Sequence, residues 1–268
     1  MSILSNMKSE GLEGQEDRLG GFSRKTTGLY PGKVKVAYLT KSPKGASALN
    51  LTFEINGQEY REPPVYFTNS KGENFYFTKD ANGNRTDKKA QLPGFFLVNS
   101  LCRLATGQEL FELADTVEEK TLKLYDPDEK KEVPKSVEVI TGLTGAEVLL
   151  AIVEQTVNKS EKNDQTGEYE PIADSRDENV IEHYFHLDTR ASINEMDKAL
   201  EAEKEGKAIP EFLFATQWEE RYGGKKRDKR TIKDGDASAP KSGRPGSAGG
   251  APAASGKAAT SSLFNKNK

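Results

Sequence analysis

Few residues in this sequence could do chemistry. Its two histidines, His183 and His186, stand three apart. On a strand that spacing sends their side chains to opposite faces, so they do not chelate one metal together. His183 shares its period with Ile181, Phe185 and Leu187, the pattern of a packed or edge residue. Cys102, the single cysteine, lies inside an apolar helical pattern, where a thiol is core material and not a nucleophile. Asp174, Asp177 and Glu178 could hold magnesium for a nuclease, but loop carboxylates at that spacing read as solvated charge. The segment DANGNRTDKKAQ places Asp80, Asn82 and Asn84 at calcium-loop spacing. It has Arg85 where such a loop needs Gly and Gln91 where it needs a bidentate Glu, so it reads as a mobile basic hairpin loop. No phosphate-binding Gly-rich motif and no G-x-S-x-G is present. The expectation is a protein that is not an enzyme and uses no metal or cofactor.

A second set of residues points to binding. From Leu19 to Phe53 there is no acidic residue, while Arg24, Lys25, Lys33, Lys35, Lys41 and Lys44 are interleaved with Phe22, Tyr30 and Tyr38. Downstream, Tyr66 and Tyr76 stand out of phase with Val65, Phe67, Phe75 and Phe77, followed by Lys79, Arg85, Lys88 and Lys89. If the phenylalanines face inward, the tyrosines face out. Cations that follow phosphates and rings that stack on bases are what single-stranded nucleic acid requires. The opposing reading has the tyrosines packing a sheet face and the lysines solvating edge strands.

The elements that must position these residues are mostly strands. GKVKVAYLT alternates Val34, Val36 and Tyr38 with polar neighbours. ALNLTFEINGQEY puts Leu49, Leu51, Phe53 and Ile55 on one face before an Asn56-Gly57 hairpin turn. VYFTNSKGENFYFT reads as a second hairpin turning near Lys71-Gly72. Residues 93–107 have helical spacing, with Pro93 near the start and Gly107 at the end. KTLKLYD, SVEVIT and NVIEHYFHLDT read as strands, whereas NEMDKALEAEKEG and PEFLFATQWEERY read as helices. The segment 146–157 satisfies both a strand and a helix pattern. Short strands with one internal helix predict a mainly β fold, an OB-like barrel with C-terminal helices and a disordered tail.

Composition divides the chain. Mean hydropathy is -0.73 and 30% of its 268 residues are charged, which predicts a modest core. No signal peptide is expected from the first residues, and no apolar run approaches the ~20 residues that span a bilayer. One cysteine builds no disulfide framework, which fits a reducing cytoplasm. Residues 1–224 hold 28 Lys/Arg against 39 Asp/Glu, whereas 225–268 hold 11 against 3. An acidic body thus carries a basic tail. Of the 26 residues 235–260, 21 are Gly, Ala, Ser or Pro. Such a segment cannot bury enough surface to offset ordering entropy and should be a tether with a reach of ~30 Å. The expected organisation is a flexible 1–19, a binding domain over 20–222, a tether over 223–260 and an interaction tip over 261–268. In that tip, SSLFNKNK, the apolar Leu263 and Phe264 precede Lys266 and Lys268.

This ensemble resembles the single-stranded DNA-binding proteins of the enquatroviruses, podophages that carry a giant RNA polymerase in the virion. The likeness rests on NSKGENFYFTKDANGNR, the tether and the tip. The resemblance implies a protein that coats single-stranded DNA in replication and recombination, in the cytoplasm of an infected host. It also implies activation of host RNA polymerase at late promoters through the tip, with phage replication proteins as further partners and no membrane association. The DNA role falls on Tyr76 first, then on Tyr66, Tyr38, Phe75, Lys33, Lys35, Lys41, Lys44, Lys79 and Arg85. The polymerase role falls on Leu263, Phe264, Lys266 and Lys268. The tip is basic, unlike the acidic tails of bacterial single-strand binders, so their partners do not carry over. The rival expectation is a non-enzymatic interaction protein whose exposed aromatics form a protein interface.

Overall fold

Alternating apolar residues shape the first three strands: β1 (Gly28–Lys41), β2 (Ser47–Ile55) and β3 (Gln58–Arg61). They form an antiparallel meander in a computed structural model that describes residues 24–126, 129–163, 167 and 169–233. Leu49, Leu51, Phe53 and Ile55 are all buried on one face of β2, as their spacing predicts. Asn56 and Gly57 both take positive φ, the type I′ geometry that suits the twist of a two-residue hairpin.

The register of β1 slips between Val34 and Val36, which breaks the expected alternation. Val34 and Ala37 are both buried, while Val36 and Tyr38 are only half-buried. A bulge of this kind bends its strand. It allows the first half of β1 to pair with β9 (Glu147–Lys162) and Tyr38 and Leu39 to pair with β8 (Lys131–Ile140).

After β3, the short β4 (Val65–Tyr66) pairs with the start of β2. The strands β5 (Phe75–Lys79) and β6 (Arg85–Gln91) form a separate two-stranded ribbon. VYFTNSKGENFYFT is therefore not one hairpin. Its two halves turn near Lys71-Gly72 as predicted but pair with different partners. Helix α1 (Pro93–Thr106) follows, begun by Pro93 and closed by Gly107 in a left-handed conformation. Its buried face includes Val98, Leu101, Cys102 and Leu104. Strand β7 (Val117–Asp126) and β8 make an arm, and β9 and β10 (Tyr169–Phe185) make a longer one. Helices α2 (Ile193–Lys204) and α3 (Phe214–Tyr222) precede a final short strand, β11 (Arg227–Asp228). The result is a mainly β fold whose antiparallel sheet, in the order β10-β9-β1-β2-β3, curls into a half-barrel.

The ambiguous segment 146–157 lies almost wholly in β9. Val148, Leu150 and Ile152 enter the core inside the curl. Leu149, Ala151 and Val153 face the other way, where Ala215 and Trp218 of α3 cover them together with Phe185. A strand buried on both faces has no reason to alternate, so its sequence resembles a buried helix.

The β3 and β10 edges of the curl share no strand ladder and are bridged by one carboxylate. Glu62 is only 8% exposed. It accepts hydrogen bonds from the Tyr60 hydroxyl at 2.7 Å and from the Ile181 backbone N–H at 2.9 Å, beside the β10 bulge. Burial pushes its carboxyl up to about 7.

A carboxyl raised in this way holds its proton more tightly in the folded chain than in the unfolded one. Its contribution to stability is therefore largest at low pH and is lost as pH climbs from its ordinary value of about 4.5 to about 7. Over that window the wild type should lose on the order of 3 kcal/mol relative to Glu62→Gln, whose amide keeps an acceptor oxygen but does not titrate. Denaturant melts of both proteins between pH 4.5 and 8 measure the difference. Parallel curves would show that Glu62 does not titrate there.

Candidate nucleic-acid interface

The β5–β6 ribbon gathers the aromatic and basic residues most closely. Phe75 and Phe77 lie two apart on one face, and their rings meet edge-to-face at 5.6 Å. The Arg85 guanidinium sits 3.6 Å from the Phe77 centroid, and the Lys89 Nζ 4.0 Å from the Phe75 centroid. The phenylalanines do not enter either core cluster; cations of their own ribbon cover them. This corrects their inward assignment. A two-stranded ribbon has no second layer to bury them against, so cation–π contact takes that place.

Tyr76 occupies the opposite face, 47% exposed and directly across from the small Ala90. Its ring is open to a stacking partner. Thr78 and Thr86 hydroxyls join the strands at 2.6 Å near the far end.

Two turns order the ribbon's ends. The Asp80 carboxylate accepts from the Asn82 and Asn84 backbone N–H groups at 2.9 and 2.8 Å. Those bonds, led by the one from Asn84, hold its carboxyl below the usual range. The supposed mobile loop is thus a closed turn, and Arg85, Lys88 and Lys89 stand on β6. At the base, Asn69 Oδ1 accepts from the Lys71 and Glu73 backbone N–H groups. Gly45, with φ +90°, abuts the Ser70 carbonyl; an added Cβ would lie 3.2 Å from that oxygen. The β1–β2 turn carrying Lys41 and Lys44 therefore packs beside the turn carrying Lys71. Tyr66, 51% exposed, precedes this region; the close approach of Gly94 to its carbonyl seats α1 against its backbone.

The ribbon and its base turn, residues 69–91, hold five Lys/Arg against three Asp/Glu. Among the described residues, Lys79, Arg85, Lys88 and Lys89 form no ion pair. A concavity of about 340 Å³ is lined by Lys71, Lys79, Arg85 and the three ring residues Phe75, Tyr76 and Phe77, with Asn69 and the acidic Glu73 at the base turn.

The structure brings together Tyr76, Phe75, Lys79 and Arg85, with Lys41 and Lys44 at the neighbouring turn. It separates the rest. Lys33 pairs with Glu147 at 3.5 Å and Lys35 with Glu59 at 2.6 Å. Arg24 pairs with Asp177 at 2.9 Å. Three of the six cations in the acid-free window thus pair with acids from other strands, so the window is not one basic surface. Tyr38 is half-buried near Arg61 and Lys135, and burial raises its hydroxyl pKa. Phe77, Lys71 and Lys89 complete the ribbon and were not singled out as site residues. The signal for Phe77 and Lys89 was aromatic alternation in FYF followed by a strand that carries three cations, Arg85, Lys88 and Lys89. Phe111, Tyr125 and Tyr169 are exposed elsewhere. Leu263, Phe264, Lys266 and Lys268 lie outside the described residues.

The catalytic candidates are engaged otherwise. Asp177 binds Lys226 and Thr156, Glu178 binds Arg176 and Gln155, and Asp174 binds Lys159. His183 packs edge-to-face on Phe214, and burial lowers its pKa. Burial pushes the Cys102 thiol up to about 12. Among the described residues, no group of His, Cys, Asp and Glu is placed to hold a metal, and no helix is long and apolar enough to cross a membrane. The basic segment 225–233, assigned by composition to the tether, is docked. β11 pairs in parallel with β9, Arg227 bridges to Glu182 at 2.6 Å, and Asn158 binds the Thr231 and Ile232 backbone.

No protein-family model matches this chain, and no curated protein matches it in sequence.

Asp80→Ala should open the ribbon's turn without unfolding the half-barrel. Amide exchange at Asn82 and Asn84 should accelerate while that of Leu150 and Ile152 stays slow. Equal acceleration at both places would show that the ribbon is not an independent unit.

Proposed function

We propose that this protein binds single-stranded DNA without sequence preference and does no chemistry. The observation that carries this reading is the ribbon, with Tyr76 bare on one face and Phe75 and Phe77 beneath cations on the other. Rings of this kind take bases of any sequence, because every base has a stacking face. Lys79, Arg85, Lys41 and Lys44 are spaced to follow phosphates around them. The body is acidic overall, so attraction is confined to this surface and affinity falls steeply with salt.

An OB-like barrel is the finer description of the fold that this reading favours. In its support, a β1–β2–β3 meander is followed by a helix and then the β9–β10 hairpin, which returns beside β1. The ribbon and the β7–β8 arm are insertions into that frame. The resemblance to the enquatrovirus proteins extends the reading to coating DNA in replication and recombination in the host cytoplasm. It further assigns residues 261–268 to contact with host RNA polymerase.

Exposed Phe111, Tyr125 and Tyr169 favour a second reading, a purely protein-binding module. The two separate in a fluorescence titration with oligo-dT at two salt concentrations, with duplex DNA as control. Salt-dependent saturation by dT and little response to duplex is expected. Tyr76→Ala should weaken dT binding by about 1–3 kcal/mol while leaving the melting temperature unchanged. No response to dT would leave the protein-binding module.

A further inference from the structure

A deep cleft lies where two ribbons part. β8 meets β1 only at Tyr38–Val139 and Leu39–Glu138. Beyond that point β1 continues to Lys41 and its turn, while β8 leaves with β7. The fork encloses about 730 Å³. Leu39, Phe67, Val117 and Val137 give it apolar walls, and Glu119 and Glu138 stand at its rim.

Those two carboxylates are direct cross-strand partners. Like charges placed opposite one another destabilise a strand pair. The Ser136 hydroxyl donates to Glu119 at 2.6 Å, but among the described residues neither glutamate has an ion-pair partner. The cleft thus offers apolar walls under two carboxylates that form no ion pair among the described residues, with Lys41 at its β1 border. Its complement is a short apolar segment followed by cations.

The same chain contains that complement. Within residues 234–268, Leu263 and Phe264 are the only large apolar residues, and Lys266 and Lys268 follow them. The last described residue is Lys233, and 29 residues separate it from Leu263. Their extended length of about 100 Å exceeds the breadth of a body whose radius of gyration is about 17 Å. Covalent connection also gives the tip an effective concentration in the millimolar range.

We propose that the tip docks on its own body, with Leu263 and Phe264 in the cleft and Lys266 and Lys268 against Glu119 and Glu138. Docking itself is independent of the DNA reading. One consequence rests on that reading: Lys41 borders the cleft and belongs to the DNA surface, so a bound strand and the docked tip compete.

The test compares methyl spectra of the full chain with those of full-length Phe264→Ala. Shift differences confined to Leu39, Val117 and Val137, unchanged on dilution, are expected. Phe264→Ala or Glu119→Lys with Glu138→Lys should cut the docked population at least about tenfold, as loss of a buried aromatic anchor or its charge partners does. No difference at these methyls, or differences spread elsewhere, overturns the proposal. Differences that fade on dilution overturn it in favour of a neighbouring copy's tip. Adding oligo-dT then separates the consequence. Binding of dT with release of the tip supports competition, and binding without release rejects it. No dT binding defeats the DNA reading and leaves docking standing.

Discussion

Burial of β9 on both faces is the constraint on which the rest of the structure depends. Val148, Leu150 and Ile152 fill the curl, while Leu149, Ala151 and Val153 require a second layer. Helix α3 supplies it with Ala215 and Trp218. The Trp218 indole N–H donates to Glu182, which also receives Arg227. Covering one strand therefore draws in the C-terminal helix and the basic segment after it. Full burial of each large aliphatic side chain contributes roughly 1.5–3 kcal/mol, so this six-residue run outweighs any surface ion pair in the chain.

A sheet of five main strands that curls without closing leaves two edges. Here the edges are joined by Glu62 and not by a ladder, with Tyr60 as its second partner. A buried carboxylate is costly unless it is hydrogen-bonded or protonated, and Glu62 is both bonded and shifted toward protonation. The nearby Tyr184 hydroxyl is buried without a hydrogen-bond partner. The β5–β6 ribbon lies away from this economy of burial. Turn hydrogen bonds and cation–π contacts hold it, and Tyr76 stays exposed.

Charge follows a different logic in three dimensions than along the chain. The longest acid-free stretch is not the basic surface, because Glu147, Glu59 and Asp177 arrive from distant strands. The ribbon, with acids in its own sequence, keeps its cations uncompensated. Its Asp80 is occupied by backbone N–H groups, and Glu73 and Asp87 form no ion pair with its cations among the described residues.

Local chemistry determined what the sequence by itself made legible. The one-faced burial of β2, the Asn56-Gly57 turn, α1 with its Pro and Gly ends, and the mainly β character follow from contacts between near neighbours. Tyr76 was legible as a ring on an exposed strand for the same reason. Tertiary structure decided whatever depended on a partner far along the chain. Segment 146–157 became a strand because two layers cover it. The β1 bulge moved Tyr38 and Val36 out of phase with Val34 because β1 serves β9 and β8 in turn. Phe75 and Phe77 turned from core to surface because their ribbon pairs only with itself. Lys33 and Lys35 lost their free charge to carboxylates more than twenty residues away. Periodicity reports which face of a strand is apolar, but only the assembled sheet specifies what lies against each face.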